Sequence, residues 1–477
     1  MWMAWIVLVV GIIVGTGSFY VQTKLQRDFD GLIDPVVLNL PDLPVWPKPS
    51  SSTSSPATAT ATAFHNLTNK IELIGSNELV GPETLVVVES SSSSKEKKKY
   101  MFMGLGDGRI VRLTHSTDAN GTHQPEWTYL VRTSEQYPVD DPYCNGIFSP
   151  SDVEEKEWEC GRPLGMIVVK RSTVDPDFPV KETTTTTTTT NIDDEDVLIV
   201  TDAYRGLLMI TNIYDDDVTR VEVVTLAIGA EDDDDEYTFR LLNAVVQDPS
   251  DGSLYITETS RTFQRRRIFY AAFDGRPDGR LLKYTVRTES ATENGEDGGV
   301  GTRRGTVHAV AENLYMPNGI TMSLSTTELL VVCGVTIQRY SLVKQRMLPS
   351  DANPFVRALP GTGDNIRAMT HTPSGAVTNC YWVGLGSKFA QPFSLLKFTS
   401  DKPWLKSILI ALIPYATIVE LIPKLSALAI YDTDGELIEL YQDEDSFYPW
   451  ISEGELFDNY LYLGSWYNTG LARAKMD

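Results

Sequence analysis

The sequence predicts an all-β fold, a six-bladed β-propeller with an N-terminal transmembrane helix and a short helical cap. Three observations lead there. Short apolar runs of strand length recur through most of the chain, bounded by Gly, Asp and Asn turns. Helical periodicity is scarce before about residue 402. One unit of runs returns six times, and a repeat overrules the roughly three domains that length alone would suggest.

The chain has 477 residues, with 41 Lys+Arg against 64 Asp+Glu and a formal charge of −23. At 42% hydrophobic and 22% charged it is too apolar for a disordered protein. The negative balance argues against nucleic acid as a partner, because a phosphate backbone would be repelled. Four cysteines exclude a scaffold built on disulfides.

Residues 1–23 carry no charged side chain and are long enough, as a helix, to span a bilayer core. We read them as a membrane anchor rather than a cleaved signal peptide, because no charged segment precedes the apolar run. Lys24 and Arg27 favour a cytosolic body by charge. The sequons at Asn66 and Asn120, and a polar loop bracketed by Cys144 and Cys160 as a local disulfide would be, favour a lumenal or extracellular one. Together they place the body outside the cytosol, in the endomembrane system or at the plasma membrane.

Residues 24–69 are rich in Pro, Ser and Thr and read as an extended stalk, leaving 70–477 for the propeller. Tracts such as 90–99, the Thr run 183–190 and the acidic run 231–236 fall between β-runs, as expanded surface loops would. Without them the units lie at 100–114, 197–212, 253–286, 328–342, 381–398 and 427–476. Residues 402–424 are too short to span and read as a helical cap over the channel, or as a lid that shapes an apolar pocket or touches a membrane. Cys333 and Cys380 lie in apolar strands and are expected as buried thiols.

CGRPLG at 160–165 and LIVTDAYRGL at 198–207 resemble the strictosidine synthase-like family. The stretch 257–284, TETSRTFQRRRIFYAAFDGRPDGRLLKY, looks like its adipocyte plasma membrane-associated protein branch, with Phe263 where that branch has Trp. MPNGI (316–320), GDNIR (363–367), YWVGL (381–385), DKPWLK (401–406), ISEG (451–454) and YLGS (462–465) continue the likeness over roughly 70–477. It implies one N-terminal membrane helix and a six-bladed propeller, within a superfamily that includes paraoxonases and lactonases.

Glu83, Asn243, Asn318, Asp364 and Asn365 stand where inner strands are expected to begin. Two carboxylates and three amide carbonyls suit Ca²⁺, and the lack of Cys or His argues against softer metals. PNG and GDN are also ordinary turn sequences, so spacing alone would leave unrelated turns. The resemblance points to the metal, since paraoxonases hold calcium with Glu, Asn and Asp at matching motif positions.

A channel calcium could polarise an ester or lactone carbonyl, and the resemblance to paraoxonases and lactonases then implies a hydrolase of arylesterase or lactonase type acting on a small molecule. The paraoxonase His pair is missing. Leu164 takes the first place, and the second falls near Asp202, the one replacement base, which is also an ordinary turn residue. Arg162 either binds a substrate carboxylate or pairs with an acidic neighbour. There is no GxSxG elbow and no match to the strictosidine synthase Glu. The alternatives are a non-catalytic propeller that binds a partner or lipid, and a condensing enzyme of strictosidine synthase type.

Overall fold

The apolar runs become strands covered on both faces, as in Val197, Leu198, Ile199 and Val200, none of which has exposed surface. A computed structural model describes residues 17–28, 32–44, 46, 62–90, 98–117, 123–146, 149–175, 194–227, 239–286, 300–301, 305–349, 352–388 and 394–476. Its strands form six sheets of four or five strands, a six-bladed propeller.

Blade 1 runs outward from Leu85–Glu89 through Lys99–Gly104 and Arg109–Thr117 to His123–Arg132. The innermost strands of blades 2 to 6 are Pro163–Lys170, Leu242–Gln247, Pro317–Met322, Gly361–His371 and Ile451–Phe457. Apolar side chains fill the wedges between blades, as where Ile199 and Met209 of blade 2 meet Leu254 and Leu282 of blade 3.

The repeat boundaries differ from the expected ones at the end of the chain. Ser426–Tyr431 and Leu437–Asp443, expected in the sixth unit, are strands of blade 5. Blade 6 is closed by an N-terminal strand, Ile71–Ile74, antiparallel to Leu471–Lys475. Chain ends paired in one sheet tie the ring shut. The segment read as stalk is not all stalk: Ala63–Asn66 adds a parallel strand to the outer edge of blade 5.

The first helix, α1, covers 17–28. Among the described residues no single helix is long and apolar enough to cross a membrane. Residues 1–16, most of the expected anchor, lie outside the described residues, as do Asn120 and the tracts 183–190 and 231–236. Asn66 is exposed, with its side-chain oxygen accepting from the Thr68 backbone N–H.

Helices α2 (Pro150–Glu155) and α3 (Glu157–Cys160) join blades 1 and 2. Helix α4 (Ile268–Asp274) lies between the second and third strands of blade 3. Helices α5 (Leu395–Thr399), α6 (Pro403–Leu412) and α7 (Tyr415–Leu421) occupy the same position in blade 5. Strands in a blade alternate in direction, so all these connections emerge on one face, where the innermost strands begin. That face gathers a separate apolar cluster. Val21 and Leu25 of α1 pack with Tyr270 of α4, Ile410 of α6 and Ile418 of α7. Residues 32–40 strap the cap. Val36 N–H donates to Asp274 O (3.0 Å), Leu38 N–H to Ser400 O (2.8 Å), and the buried Lys406 Nζ to Val36 O (2.7 Å).

Cys144 and Cys160 are disulfide-bonded, closing the connection that carries α2 and α3. Gly108 turns beneath it at φ +83°, where any Cβ would collide with Cys160 O. Cys333 and Cys380 are buried free thiols.

Candidate functional site

Each innermost strand of blades 2 to 6 starts with an irregularity in register. The break in blade 3 lies between Leu242 and Val245, in blade 4 between Pro317 and Ile320, and in blade 5 between Gly363 and Ile366. Asn243 with Ala244, Asn318 with Gly319, and the pair Asp364–Asn365 are the residues skipped. A bulge turns side chains out of the sheet alternation, here toward the axis. The backbones meet closely: a Cβ on Gly319 would lie 2.5 Å from Ile366 N, so only glycine fits between blades 4 and 5.

Glu83, Asn243, Asn318 and Asp364 line one cavity of about 520 Å³, with Arg162, Leu164, Glu157 and Arg265 beside them. Asn365 stands apart from its walls and donates across the axis to Thr84 Oγ1 at 3.3 Å. The roof is apolar, from Phe269 of α4, Ile410 of α6, Ile418 and Val419 of α7, and the stacked pair Trp450 and Trp466. The segment expected as a cap is therefore the cavity's ceiling.

Four ionic groups make a chain through the floor. The fully buried Arg162 donates from Nη2 to Glu83 Oε2 at 2.7 Å and from Nη1 to Gly81 O at 3.1 Å. Its Nε has no hydrogen-bond partner and lies 3.9 Å from Glu157 Oε1. Glu157 accepts from Arg265 Nη1 at 2.8 Å and from Tyr204 OH at 2.6 Å. Burial works against the Arg265 charge, but Glu157 and then Glu83 outweigh it and raise its pKa. The acidic neighbour expected for Arg162 is thus Glu83, and Arg162 also lines the cavity.

Asp364 is less well compensated. Asn318 Nδ2 donates to its Oδ1 at 2.9 Å, and no ion pair to it occurs among the described residues. Burial, then repulsion from Glu83, raise its pKa well above the usual carboxylate range. Asn318 Oδ1 is buried with no donor. A carboxylate short of positive charge beside an orphaned amide oxygen is the donor chemistry a hard cation requires. Glu83, Asn318 and Asp364 fit calcium on that ground, with Asn243 on the same wall.

Asp202 is not brought to the cavity. Its carboxylate accepts from Thr133 Oγ1 (2.6 Å) and from the backbone N–H groups of Arg162 (2.7 Å), Tyr204 (2.9 Å) and Arg205 (2.9 Å). With both oxygens engaged it holds a turn and the Arg162 backbone. Leu164 does line the cavity, packed with Ala203 and Leu241. No histidine among the described residues lines it.

Sequence reasoning missed Glu157, Arg265 and Glu453. Glu453 lies near the start of the blade 6 inner strand, as Glu83 precedes that of blade 1, and pairs with Arg367 while accepting from Leu85 N–H at 3.0 Å. Its place in ISEG was a usable signal. Glu157, beside a disulfide, gave none.

The Strictosidine synthase family model matches residues 243–293, which open with Asn243. An adipocyte plasma membrane-associated protein of Gallus gallus is 27% identical over 439 residues, 91% of this chain and 85% of that one. One of Bos taurus is 27% identical over 443 residues, covering 92% and 86%. The Arabidopsis thaliana protein strictosidine synthase-like 2 is 26% identical over 378 residues, covering 76% and 80%.

Proposed function

We propose that this chain, a propeller of the strictosidine synthase-like family, is a calcium-dependent hydrolase of apolar esters or lactones, held at a membrane by its N-terminus. One observation carries the reading. Asp364 and the orphaned Asn318 Oδ1 lie with Glu83 on the polar floor of an otherwise apolar cavity. A calcium ion there would polarise a carbonyl and stabilise negative charge developing on its oxygen. Arg162 pairs with Glu83 at 2.7 Å. The roof of α4, α6 and α7 keeps water from an apolar acyl or aryl group and turns its carbonyl to the floor.

The membrane placement rests on the apolar residues 1–23 and on relatives named for the plasma membrane. The Cys144–Cys160 disulfide fits a lumenal or extracellular body, where Asn66 and Asn120 would accept glycans.

The test is hydrolysis of phenyl acetate and of simple lactones by purified protein, with and without a calcium chelator. Activity lost in chelator and in Glu83→Gln supports the reading. Equal turnover in excess chelator would defeat it. A second reading, a non-catalytic pocket for a lipid or apolar ligand, is favoured by the engaged Asp202 and by the absence of histidine from the described cavity wall. Ligand binding without turnover, with or without calcium, would select it.

A further inference from the structure

Arg162 occupies an odd position for a residue beside a cation site. Its guanidinium is buried and bonded at 2.7 Å to Glu83, the carboxylate expected to face the cation. The Arg162 guanidinium and a cation in the floor would compete for the same Glu83 carboxylate, and in a site shielded from water that competition is strong. The other side of Arg162 faces Glu157. Its Nε is the orphaned atom there, 3.9 Å from Glu157 Oε1, longer than a hydrogen bond. Glu157 is itself almost fully buried and fixed by Arg265 and Tyr204, so it cannot leave to find another partner.

We propose that Arg162 is the internal counter-cation of Glu83, and that Glu157 is the positioning residue that takes up Arg162 when a divalent cation binds. The inference rests on the cation reading of the floor. With the cation absent, Arg162 neutralises Glu83 and keeps two buried carboxylates, Glu83 and Asp364, from facing each other uncompensated. With the cation present, the Nη2 bond to Glu83 weakens and the Nε side closes on Glu157. A short shift suffices, because Nη1 stays on Gly81 O. Glu157 therefore acts on the cation through Arg162 and needs no contact with it. Arg265 sits on the short helical turn 265–267 that leads into α4, so the roof and the floor are joined through Glu157.

The test is calcium affinity by titration calorimetry on the full chain, apart from any turnover. Arg162→Met should bind calcium about tenfold more tightly, the scale of one buried competing charge. Glu157→Gln should bind about fivefold more weakly, because Arg162 then has Glu83 alone. Arg162→Lys keeps the charge and should stay near wild type. The deciding measurement is the double variant, which separates a relay from two independent charge effects. Once Arg162 is Met, adding Glu157→Gln should change affinity by less than about twofold. Additive effects, or weaker binding by Arg162→Met, would overturn the relay. If Arg162→Met does not fold, comparing Glu157→Gln alone with wild type still decides, since unchanged affinity sinks the proposal. Should neither wild type nor any variant bind calcium, the cation reading falls and takes the relay with it. If wild type binds and Glu83→Gln does not, while the cycle is additive, the relay alone fails.

Discussion

Asn318 donates its side-chain amide to Asp364 Oδ1 at 2.9 Å across the join of blades 4 and 5, and that bond decides which atoms of the floor stay open. The amide nitrogen is held on the carboxylate, and Asn318 Oδ1 has no donor of its own. Asp364 keeps its second oxygen and an unfavourable charge.

Asp364→Asn should therefore have opposite effects with and without calcium. In chelator at neutral pH the variant loses a buried charge whose pKa burial and Glu83 have raised. Its melting temperature should rise by roughly 1–3 °C. In calcium the variant should show none of the wild-type stabilisation by ligand. For the wild type, protons compete with the cation for Asp364, so calcium affinity should fall as pH drops toward the raised pKa. Differential scanning fluorimetry and calorimetric titrations from pH 8 to 6 check both. A lower melting temperature for Asp364→Asn in chelator would mean that its charge is compensated in a way the floor does not reveal.

The sixfold repeat was legible because the strands are buried on both faces and so read as continuous apolar runs, Val197–Val200 being the plainest. Its last boundary was not. The cap helices interrupt blade 5 between Thr378–Lys388 and Ser426–Tyr431, and a sequence scan takes the far half for a new unit. The closing strand Ile71–Ile74 was invisible for a related reason, since its partner lies at the opposite end of the chain. At the site, Glu83, Asn243, Asn318 and Asp364, which line one cavity, were singled out through the family motifs, since turns rich in Gly, Pro and Asn alone would not have separated them from ordinary turns. Arg162–Glu157 and Arg367–Glu453 were missed as pairs: the first two are five residues apart on one connection, a spacing that signals no pairing outside a helix, and the second two come from different blades.

Glu455 supplies a pH test of the channel apart from the metal. It lies on the blade 6 inner strand, and Arg367 Nε is 3.5 Å away. Burial raises its pKa to about 7, with Arg367 opposing and Glu453 adding to the rise. A carboxylate whose folded pKa lies above its unfolded value favours the fold at low pH. That advantage is full below the unfolded value and is lost as pH climbs through about 7. Glu455→Gln should be close to neutral at pH 4.5 and stabilising above pH 7, by on the order of 1–3 kcal/mol. Urea unfolding at the two pH values measures it. A variant less stable than wild type at pH 8 would show that the ion pair with Arg367 outweighs burial.

The disulfide should matter to the site as well as to the fold. Cys144 and Cys160 are 16 residues apart, and a loop of that size is stabilised by about 3 kcal/mol in the chain-entropy account. Cys160 ends α3, the helix that begins with Glu157. Cys144→Ser with Cys160→Ser should lower unfolding free energy by about that amount and weaken calcium binding, because Glu157 loses its support. Peptide mapping of secreted protein should find the two cysteines joined. A free Cys144 there would remove both the bond and the argument for an oxidising compartment.

Leu164 offers the most direct probe of catalysis. It is buried, lines the cavity and packs with Ala203 and Leu241, where the resembled paraoxonases carry a histidine. Leu164→His exchanges an apolar side chain for one with two ring nitrogens, and burying a polar group without a partner costs about 1–3 kcal/mol. The variant should fold with a lower melting temperature, since the cavity gives the ring room to face inward. Burial should keep the imidazole neutral to lower pH than in water, which makes it a base at neutral pH. We expect lactone turnover above wild type, rising with pH through one ionisation that the wild-type profile lacks. Calcium affinity should be little changed, since residue 164 belongs to blade 2 and the expected ligands come from blades 1, 3, 4 and 5. A folded, calcium-binding Leu164→His with no gain in turnover would show that a base at this position does not reach the scissile carbonyl, and would move the balance toward a binding pocket without chemistry.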